Sequence, residues 1–316
     1  MAESGFPWHL VPPLCLLAGL IIGLGGLNPF GPQTRTLGRI SLQISIVLLG
    51  LTIPLADVLK AGTSGLALTM AGLLAVGGAG AWLAPRLGVA PRLAALVTVG
   101  TAVCGGSAIA AAAPLTGASD DEIAASLATV FVLNGLALFL FPWLGHGLWL
   151  DAPTFAAWAA IAIHDTSSVV GAAMAFDRAS VATATTIKLA RTLWILPVCL
   201  LLAARFRQKV ALDLRAGQAS SLALVRRVSR WIPWFLPAFM IAALIRSLVG
   251  PGDWTTVVGH GARTGLGLSL LCIGAGVTPK TLLGLSRQAL VLGVLLWLLA
   301  ATLGLALAHA IRFESA

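Results

Sequence analysis

The chain has 316 residues, of which 58% are hydrophobic and only 10% are charged, and its mean hydropathy is +0.97. A soluble domain carries about 25% charged residues, so an ordinary soluble fold is excluded and an all-α polytopic membrane protein is predicted. The formal net charge of +9 is explained by basic cytoplasmic loops beside an anionic leaflet, so no nucleic-acid partner is expected.

Ten stretches are predicted as membrane spans, each of which needs about 20 apolar residues. Cutting the chain at Pro, Gly and charged residues places them at 10–27, 40–59, 64–84, 92–114, 123–145, 154–176, 180–204, 231–250, 264–283 and 288–311. No Lys or Arg precedes the first apolar run, so we expect a true span there and not a signal peptide. The polar break at 205–230 is predicted to hold a short surface helix at 210–225.

The distribution of Lys and Arg predicts the orientation. If the N-terminus lies outside, most of these residues fall in inside loops, above all in 205–230. The positive-inside rule therefore favours an orientation with both termini outside. In that arrangement the acidic segment Asp120–Glu122 would also lie outside.

Ten spans divide into two halves, a first five-helix repeat at 1–146 and a second at 147–316. An odd number of spans in each half forces the second half to enter the membrane inverted. Inverted repeats with helices broken at corresponding positions are typical of secondary transporters. We therefore predict two broken helices, in the fourth and ninth spans.

The fourth span contains a run of small residues, TAVCGGSAIAAAAP, at 101–114. Paired glycines weaken a helix, and irregular backbone at membrane depth needs protein or water around it. The ninth span is predicted to break in the same way. The alternative is plain helix packing through small residues, which is all that we expect of Gly19 and Gly23. The predicted site residues from the two breaks are Cys104, Gly105, Gly106, Ser107, Gly274, Gly276 and Thr278.

Ionisable side chains inside spans are costly and suggest function. His164 and Asp165 lie mid-span and are followed by Thr166 and Ser167, whereas Lys188 and Arg191 lie one helical turn apart in a later span. One interpretation is a wetted binding cavity. The other is a buried clasp that only fastens neighbouring helices.

These residues together predict a binding site for a small anion. Broken helices direct free backbone N–H groups and the positive end of the helix dipole inward, and Ser107 and Thr278 would add hydroxyl donors. Lys188 and Arg191 would supply positive charge. Asp165 would hold one of these cations, and His164 would couple a proton. Replacing Lys188 or Arg191 by alanine would then abolish transport and leave a folded protein.

The sequence resembles the YeiH-type sulfate exporter family of bacterial inner-membrane proteins. The resemblance covers nearly the whole chain and rests on CGGSAI (Cys104–Ile109) with Ala113–Pro114, on His164–Asp165, on IKLAR (Ile187–Arg191) and, more loosely, on IGAGVT (Ile273–Thr278) with Lys280. It implies an architecture like that of bile-acid and cation/proton antiporter carriers. Such carriers have two crossed broken helices, a core that moves against a scaffold in an elevator mechanism, and usually a homodimer. The family's usual His-Glu is His-Asp here, its extra N-terminal span is absent, and the ninth-span motif is altered.

The predicted site and the family resemblance are compatible with several functions. The first is a carrier that exports sulfate, sulfite or a sulfonate, driven by the membrane potential or by protons. The alternatives are a monovalent cation/proton antiporter and a proton-coupled organic-anion carrier. A remote one is an intramembrane enzyme with Cys104 as nucleophile and His164–Asp165 as base and orienting group. We expect neither an enzyme nor a cofactor. We also expect no metal, because the four cysteines lack metal-ligand spacing. The expected partners are the anion, protons, the bilayer and a second copy.

Overall fold

A computed structural model describes residues 11–206, 234–276, 279 and 286–310, and all regular structure in these ranges is helical. The helices are α1 (Val11–Leu24), α2 (Gly31–Gly50), α3 (Leu55–Arg86), α4 (Pro91–Ala102), α5 (Gly106–Thr116), α6 (Asp120–Gly147), α7 (Ala152–Ala162), α8 (Thr166–Phe176), α9 (Arg178–Thr192), α10 (Ile195–Arg205), α11 (Phe235–Val249), α12 (Asp253–Ala275) and α13 (Arg287–Ala310). The predicted surface helix at 210–225 lies outside the described residues.

In the described part of the chain, four helical segments are long and apolar enough to cross a membrane alone. They are α3, α6, the nearly continuous pair α9–α10, and α13. This confirms an all-α polytopic membrane protein. One boundary differs from the prediction, because the chain turns at residues 51–54 and not near residue 60. Pro54 at this turn precedes α3 in an extended conformation, which stops α2 from continuing.

Contacts at the two ends of helix α13 assign the connections between other helices to the two ends of the bundle. Gln288, at its start, lies beside Gly88, which follows α3. His309, at its far end, lines the same cleft as Asp151, which follows α6. The end with Gln288 and Gly88 also carries Arg86, and we call it the basic end. The end with His309 and Asp151 is called the opposite end. Because Gly293 packs on Thr129, in the first half of α6, helix α6 runs from the basic end to the opposite end.

Helices α4 and α5 form a hairpin that enters from the basic end and returns to it. Helix α3 ends there, just before α4, and α6 begins there, just after α5. A Cβ built on Gly100 would lie 2.9 Å from Cδ1 of Ile109. A continuous helix would separate residues nine apart by roughly 13 Å along its axis, so the chain reverses between them.

Helices α7 and α8 form a second hairpin, which enters from the opposite end. Phe155, in the first turn of α7, and Phe176, the last residue of α8, stack with ring centroids 3.9 Å apart. His146, at the end of α6, stacks on Phe176 at 4.5 Å. Each arm has 11 residues, which at 1.5 Å per residue reach about half of a bilayer core.

The predicted spans 92–114 and 154–176 are therefore re-entrant hairpins and do not cross. The turn that meets the first hairpin belongs to the sixth predicted span and not to the ninth. Helix α12 continues to Ala275, and the segment that would form a second half-helix there is outside the described residues, apart from Pro279. Because the first hairpin returns to the basic end, the segment Asp120–Glu122 lies at the same end as Arg86. The prediction had placed the two on opposite sides of the membrane.

Helices α1, α2 and α12 pack closely through small residues. A Cβ on Gly19 would lie 2.2 Å from the carbonyl oxygen of Leu271 and 3.0 Å from Cα of Gly274. A Cβ on Gly38 would lie 2.8 Å from Cβ of Cys272. Asn28 donates a hydrogen bond of 2.9 Å to the carbonyl of Ala275. The packing role that was expected of Gly19 is confirmed, and Gly274 takes part in the same contact.

Replacing Gly19 by alanine should therefore destabilise the protein by about 1–3 kcal/mol, because the new methyl group meets backbone and not a movable side chain. Thermal unfolding in mild detergent measures the effect. Gly77→Ala in α3 is the matched control, since nothing lies within 4 Å of a Cβ built there. Equal stability of the two variants would contradict the close approach of α1 and α12.

The two hairpins lie within a second group of helices. The first hairpin packs against α3, α6, α10 and α13, and the second packs against α6, α9 and α13. Their faces are mostly alanine and branched aliphatic residues, and α7 is buried throughout from Phe155 to Ala162. Small side chains allow the arms to pack closely against their neighbours, so the two turns are held at a fixed position inside the bundle.

Candidate functional site

The turns of the two hairpins meet inside the bundle. A Cβ built on Gly105 would lie 3.4 Å from Cβ of Asp165 and 3.4 Å from Cγ1 of Val130. Gly105 has φ +67° and ψ −130°, which L-residues rarely adopt. We call residues 103–107 and 163–167 the hairpin-tip junction. Each tip contains the C-terminus of one short helix and the N-terminus of the next.

Asp165 caps the N-terminus of α8. Its carboxylate accepts hydrogen bonds from the Ser168 backbone N–H at 2.7 Å, from the Ser168 hydroxyl at 2.8 Å and from the Ser167 hydroxyl at 2.6 Å. A carboxylate at a helix N-terminus is stabilised by the free N–H groups and the helix dipole. Asp165 is only half-buried, so its carboxylate lies near accessible space.

The N-terminus of α5 has no side-chain cap. The Ser107 hydroxyl contacts Sγ of Cys104 at 2.9 Å and donates to the Cys104 carbonyl at 3.1 Å. Ser107 is exposed and Gly106 is half-buried, so the first turn of α5 can be reached from outside the protein core. Uncapped N–H groups at such a helix start favour an anion.

Arg191 joins the C-terminal ends of α4 and α7. Its guanidinium donates to the carbonyls of Ala102 at 2.9 Å and Thr101 at 2.7 Å on the first hairpin. On the second hairpin it donates to the carbonyls of Ala160, at 3.1 Å, and Ile161. The side chain is 1% exposed. The planar guanidinium group, from one position on α9, therefore hydrogen-bonds to both hairpins.

Lys188 completes this arrangement one turn earlier on α9. Its ammonium group donates to the carbonyl of Ile163 at 2.6 Å and to that of Ala160 at 3.3 Å, and the side chain is fully buried. Carbonyls at a helix C-terminus lack partners within the helix and carry the negative end of its dipole. Both cations thus neutralise helix ends that would otherwise be buried without partners.

Lys188 and Arg191 make the contacts that were expected if they only fasten neighbouring helices, which is the clasp interpretation. Their described hydrogen bonds go to backbone carbonyls and not to a cavity. These contacts predict that alanine at Arg191 destabilises the fold, in contrast to the expectation from the sequence. Asp165, expected to pair with one of these cations, instead bonds the start of α8. Cations therefore lie at the two C-terminal helix ends, and the carboxylate lies at an N-terminal one.

Behind the junction, three buried side chains have polar atoms without hydrogen-bond partners in the described structure. They are His164 at both ring nitrogens, Asn134 at Nδ2 and Thr101 at Oγ1. Asn134 accepts a hydrogen bond of 3.0 Å from the His164 backbone N–H through Oδ1. Thr101 and Asn134 were not predicted. The signal for Asn134 was available, since it is a lone amide in the middle of an apolar span.

The arrangement needed for the remote enzyme hypothesis is not assembled among the described residues. Asp165 is bonded to Ser167 and Ser168 and not to the His164 ring. The described hydrogen bonds do not join the His164 ring to Cys104, and Sγ of Cys104 contacts Ser107. A nucleophile needs a base within hydrogen-bonding reach, and here Cys104 has none.

The predicted site residues of the ninth span lie elsewhere. Gly274 packs against Gly19 on α1. Gly276 follows the end of α12, and its N–H donates to the Cys272 carbonyl at 3.1 Å. Thr278 lies outside the described residues. The described hydrogen bonds at the junction come from α4 to α9, so the candidate site comprises the CGGS tip, the His164–Ser167 tip, Lys188 and Arg191.

These features define a class of protein, a helical membrane protein in which two short helical hairpins meet tip to tip. The particular family follows from comparison with known sequences. The conserved hypothetical protein 698 family matches residues 12–293, and the chain belongs to this family. This confirms the resemblance to the YeiH-type proteins inferred from the motifs.

The chain is similar over almost its full length to curated proteins named UPF0324 membrane protein. One, from Vibrio vulnificus, is 39% identical over 302 residues, which cover 95% of this chain and 92% of the relative. Another, from Geobacter sulfurreducens, is 37% identical over 307 residues, covering 96% and 93%. No solved structure matches the chain.

Proposed function

We propose that this membrane protein is a secondary carrier that exports a small oxyanion, such as sulfate, sulfite or a sulfonate, and binds it at the hairpin-tip junction. The single observation that carries the proposal is the meeting of two hairpin tips that enter from opposite ends of the bundle. Each hairpin separates the junction from one end. Movement of both hairpins together, with the helices that hold them, would expose the junction alternately to the two sides of the membrane.

The chemistry of the accessible tip supports an anion as the cargo. The start of α5 combines uncapped N–H groups with the Ser107 hydroxyl. Helix N-termini bind anions through such N–H groups and the dipole, and half-helix N-termini are the usual substrate contacts of carriers with broken helices.

The packing of the helices supports an elevator-type movement. Helices α1, α2, α11 and α12 pack mainly with one another, and the hairpins pack with α3, α6, α9, α10 and α13. Helix α8 lies between the two groups, where it contacts α1 and α12. The first group would be the scaffold, also used for a homodimer, and the second would carry the site.

The direction of transport follows from charge. One elementary charge that crosses 100 mV changes the free energy by about 2.3 kcal/mol, and the inside of a bacterium is negative. An anion therefore leaves down the potential without a coupled cation. We place the protein in the inner membrane with the basic end in the cytoplasm and both termini in the periplasm.

Reconstitution tests the proposal. Purified protein in liposomes, at an imposed potential, should release radiolabelled sulfate, sulfite or methanesulfonate faster than protein-free liposomes. Reversing the potential should slow the release, because the anion then moves against the electrical gradient. No flux of any of these anions at either potential would end the oxyanion proposal.

Ser107→Ala should weaken anion binding and flux about tenfold or more, since a hydrogen bond to a charged group contributes about 1.5–3 kcal/mol. The matched control is Ser126→Ala, because Ser126 is buried on α6 and bonds only the carbonyl of Ile123. Flux titrations over anion concentration measure both variants. Equal flux through the two would remove Ser107 from the site.

A monovalent cation/proton antiporter is the second candidate. Asp165 favours it, since a half-buried carboxylate at the tips could exchange a proton for a cation. Proton release on mixing with sodium, without any added permeant anion, is the measurement. Such release would support this candidate, whereas proton movement that depends only on the anion would support the oxyanion carrier.

A further inference from the structure

We infer that a cleft at the opposite end of the bundle binds the headgroup of a phospholipid that carries a primary ammonium group, phosphatidylethanolamine. The cleft lies where α6 ends, α7 begins and α13 ends, and its volume is about 290 Å³. It is lined by Trp149, Leu150, Asp151, Thr154 and His309, and we call it the headgroup cleft. Its ligand is a lipid and not the transported anion, so an empty cleft would leave the proposed function untouched.

Trp149 has a backbone conformation that its side chain disfavours. Its φ is +54°, and every other positive φ among the described residues belongs to a glycine. The Trp149 N–H donates to the His146 carbonyl at 3.1 Å, and the Leu150 N–H donates to the Gly145 carbonyl at 3.1 Å. These two bonds form the Schellman motif that ends α6, in which glycine usually occupies the place of Trp149. A large side chain destabilises this turn, so the fold alone does not account for it.

The exposure of Trp149 points to a contact outside the protein. The residue is 93% exposed, so packing within the chain does not explain it either. Leu148, directly before it, is 49% exposed, and α6 is long and apolar enough to cross a membrane. Tryptophan is enriched where such helices leave the bilayer, because its ring is apolar and its N–H is polar. Trp149 therefore lies where lipid headgroups are the expected neighbours.

The polar side chains of the headgroup cleft offer hydrogen-bond acceptors. Oδ1 of Asp151 accepts from the Thr154 N–H at 3.0 Å and caps α7, and the exposed carboxylate has further acceptor sites. Nδ1 of His309 lies 3.0 Å from the Leu305 carbonyl oxygen. A carbonyl only accepts, so Nδ1 carries the hydrogen and Nε2 of the neutral ring is an acceptor. The Thr154 hydroxyl adds another.

This combination complements a primary ammonium group, which has one positive charge, three N–H donors and no acceptor. The Asp151 carboxylate supplies the opposite charge and a charge-assisted hydrogen bond. His309 and Thr154 supply further acceptors, and the Trp149 ring attracts a cation to its face. Among the described residues, no Lys or Arg lines the cleft, so an anion would meet the carboxylate without a compensating charge.

The position of the cleft favours a lipid over a soluble amine. The acidic and imidazole side chains are exposed, and contacts between exposed charges are weak because water competes for them. A soluble amine would have these contacts alone. A lipid is confined to the bilayer at a high local concentration, and its apolar part can contact the exposed side chains of Leu148 and Trp149. Weak polar contacts then suffice to select the headgroup.

Two lipids that differ only in methylation of the headgroup nitrogen provide the test. The full-length protein in detergent is titrated with dioleoylphosphatidylethanolamine or dioleoylphosphatidylcholine, and bound lipid is counted by native mass spectrometry. The wild type should bind phosphatidylethanolamine about tenfold more tightly, because three methyl groups remove the N–H donors to a charged acceptor. Equal binding would overturn the assignment. So would displacement of the lipid by an equal concentration of soluble glycerophosphoethanolamine, which would give the cleft to a soluble amine.

Asp151→Asn removes the charge and keeps an N-cap side chain, since Asn caps helices as well as Asp. The variant should lose the tenfold preference between the two lipids. Asp177→Asn is the matched control, because Asp177 is also an exposed N-cap, follows Phe176 at the same end of the bundle and does not line the cleft. It should keep the preference. The same preference in both variants, kept or lost, would exclude Asp151 as the specific acceptor.

Trp149→Gly should have two opposite effects. It should raise the unfolding temperature in lipid-free detergent by about 2–4 °C, because glycine adopts a positive φ without strain. It should also weaken the binding of phosphatidylethanolamine, since the ring is lost. Trp143→Ala is the control, because Trp143 is 71% exposed on α6 but does not line the cleft. A Trp149→Gly protein that binds phosphatidylethanolamine as tightly as the wild type would contradict the role of the indole.

Discussion

Arg191→Ala is expected to prevent stable folding and not merely to stop transport. The change leaves the carbonyls of Thr101, Ala102 and Ile161 without their side-chain donor, and the Ala160 carbonyl keeps only its contact with Lys188. An unsatisfied buried polar group costs about 1–3 kcal/mol, and a whole protein is stable by only about 5–15 kcal/mol. The loss therefore approaches the total stability. Yield, monodispersity and thermal unfolding in mild detergent measure it.

Two further variants make this prediction specific. Arg191→Lys keeps the charge and loses the planar fork, so it should retain a folded protein of reduced stability. Arg205→Ala is the matched control, because Arg205 is exposed at the end of α10, and it should unfold like the wild type. A stable Arg191→Ala protein that binds no anion would return Arg191 to the role of substrate ligand.

Gly105→Ala is expected to lower the stability by about 1–3 kcal/mol and to abolish transport, because φ +67° with ψ −130° is a conformation that alanine rarely adopts. Steric overlap of the new methyl group does not cause this loss of stability. The added Cβ would meet Asp165 and Val130 at 3.4 Å, an ordinary contact distance. Relaxing the strained backbone would turn the start of α5 away from the junction, which should remove anion binding.

Gly106→Ala separates backbone strain from the mere addition of a methyl group. Gly106 is the first residue of α5, where alanine is acceptable, and its Cβ would meet Leu127 and Phe131 at 3.4 Å. The variant should keep its stability within about 1 kcal/mol and also its anion affinity, since the methyl group is directed toward α6 and not toward the second tip. Unfolding temperature and anion titration, measured on both variants, distinguish the two effects. Equal stability of the two would contradict the special conformation of Gly105.

The chemistry of the site could be predicted from local sequence. Charges and paired glycines inside apolar segments are costly, so Gly105, Asp165, Lys188 and Arg191 stood out without any structure. The break at CGGS is at the predicted position. The clasp between Arg191 and the helix ends was one of two interpretations, and the sequence could not choose between them because its partners are backbone carbonyls, which every residue has.

Hydropathy alone determined that this chain is an all-α membrane protein, because only the length and polarity of each apolar segment matter for that conclusion. Whether such a segment crosses or returns was decided by tertiary contacts. A hairpin of two 11-residue arms has the composition of one span, and contacts such as the stacking of Phe155 on Phe176 distinguish the two. The same contacts brought Asp165 to Gly105, 60 positions apart in the sequence, and left α12 packed on α1. Local patterns cannot encode which turn meets which, since that depends on the packing of helices distant in the chain.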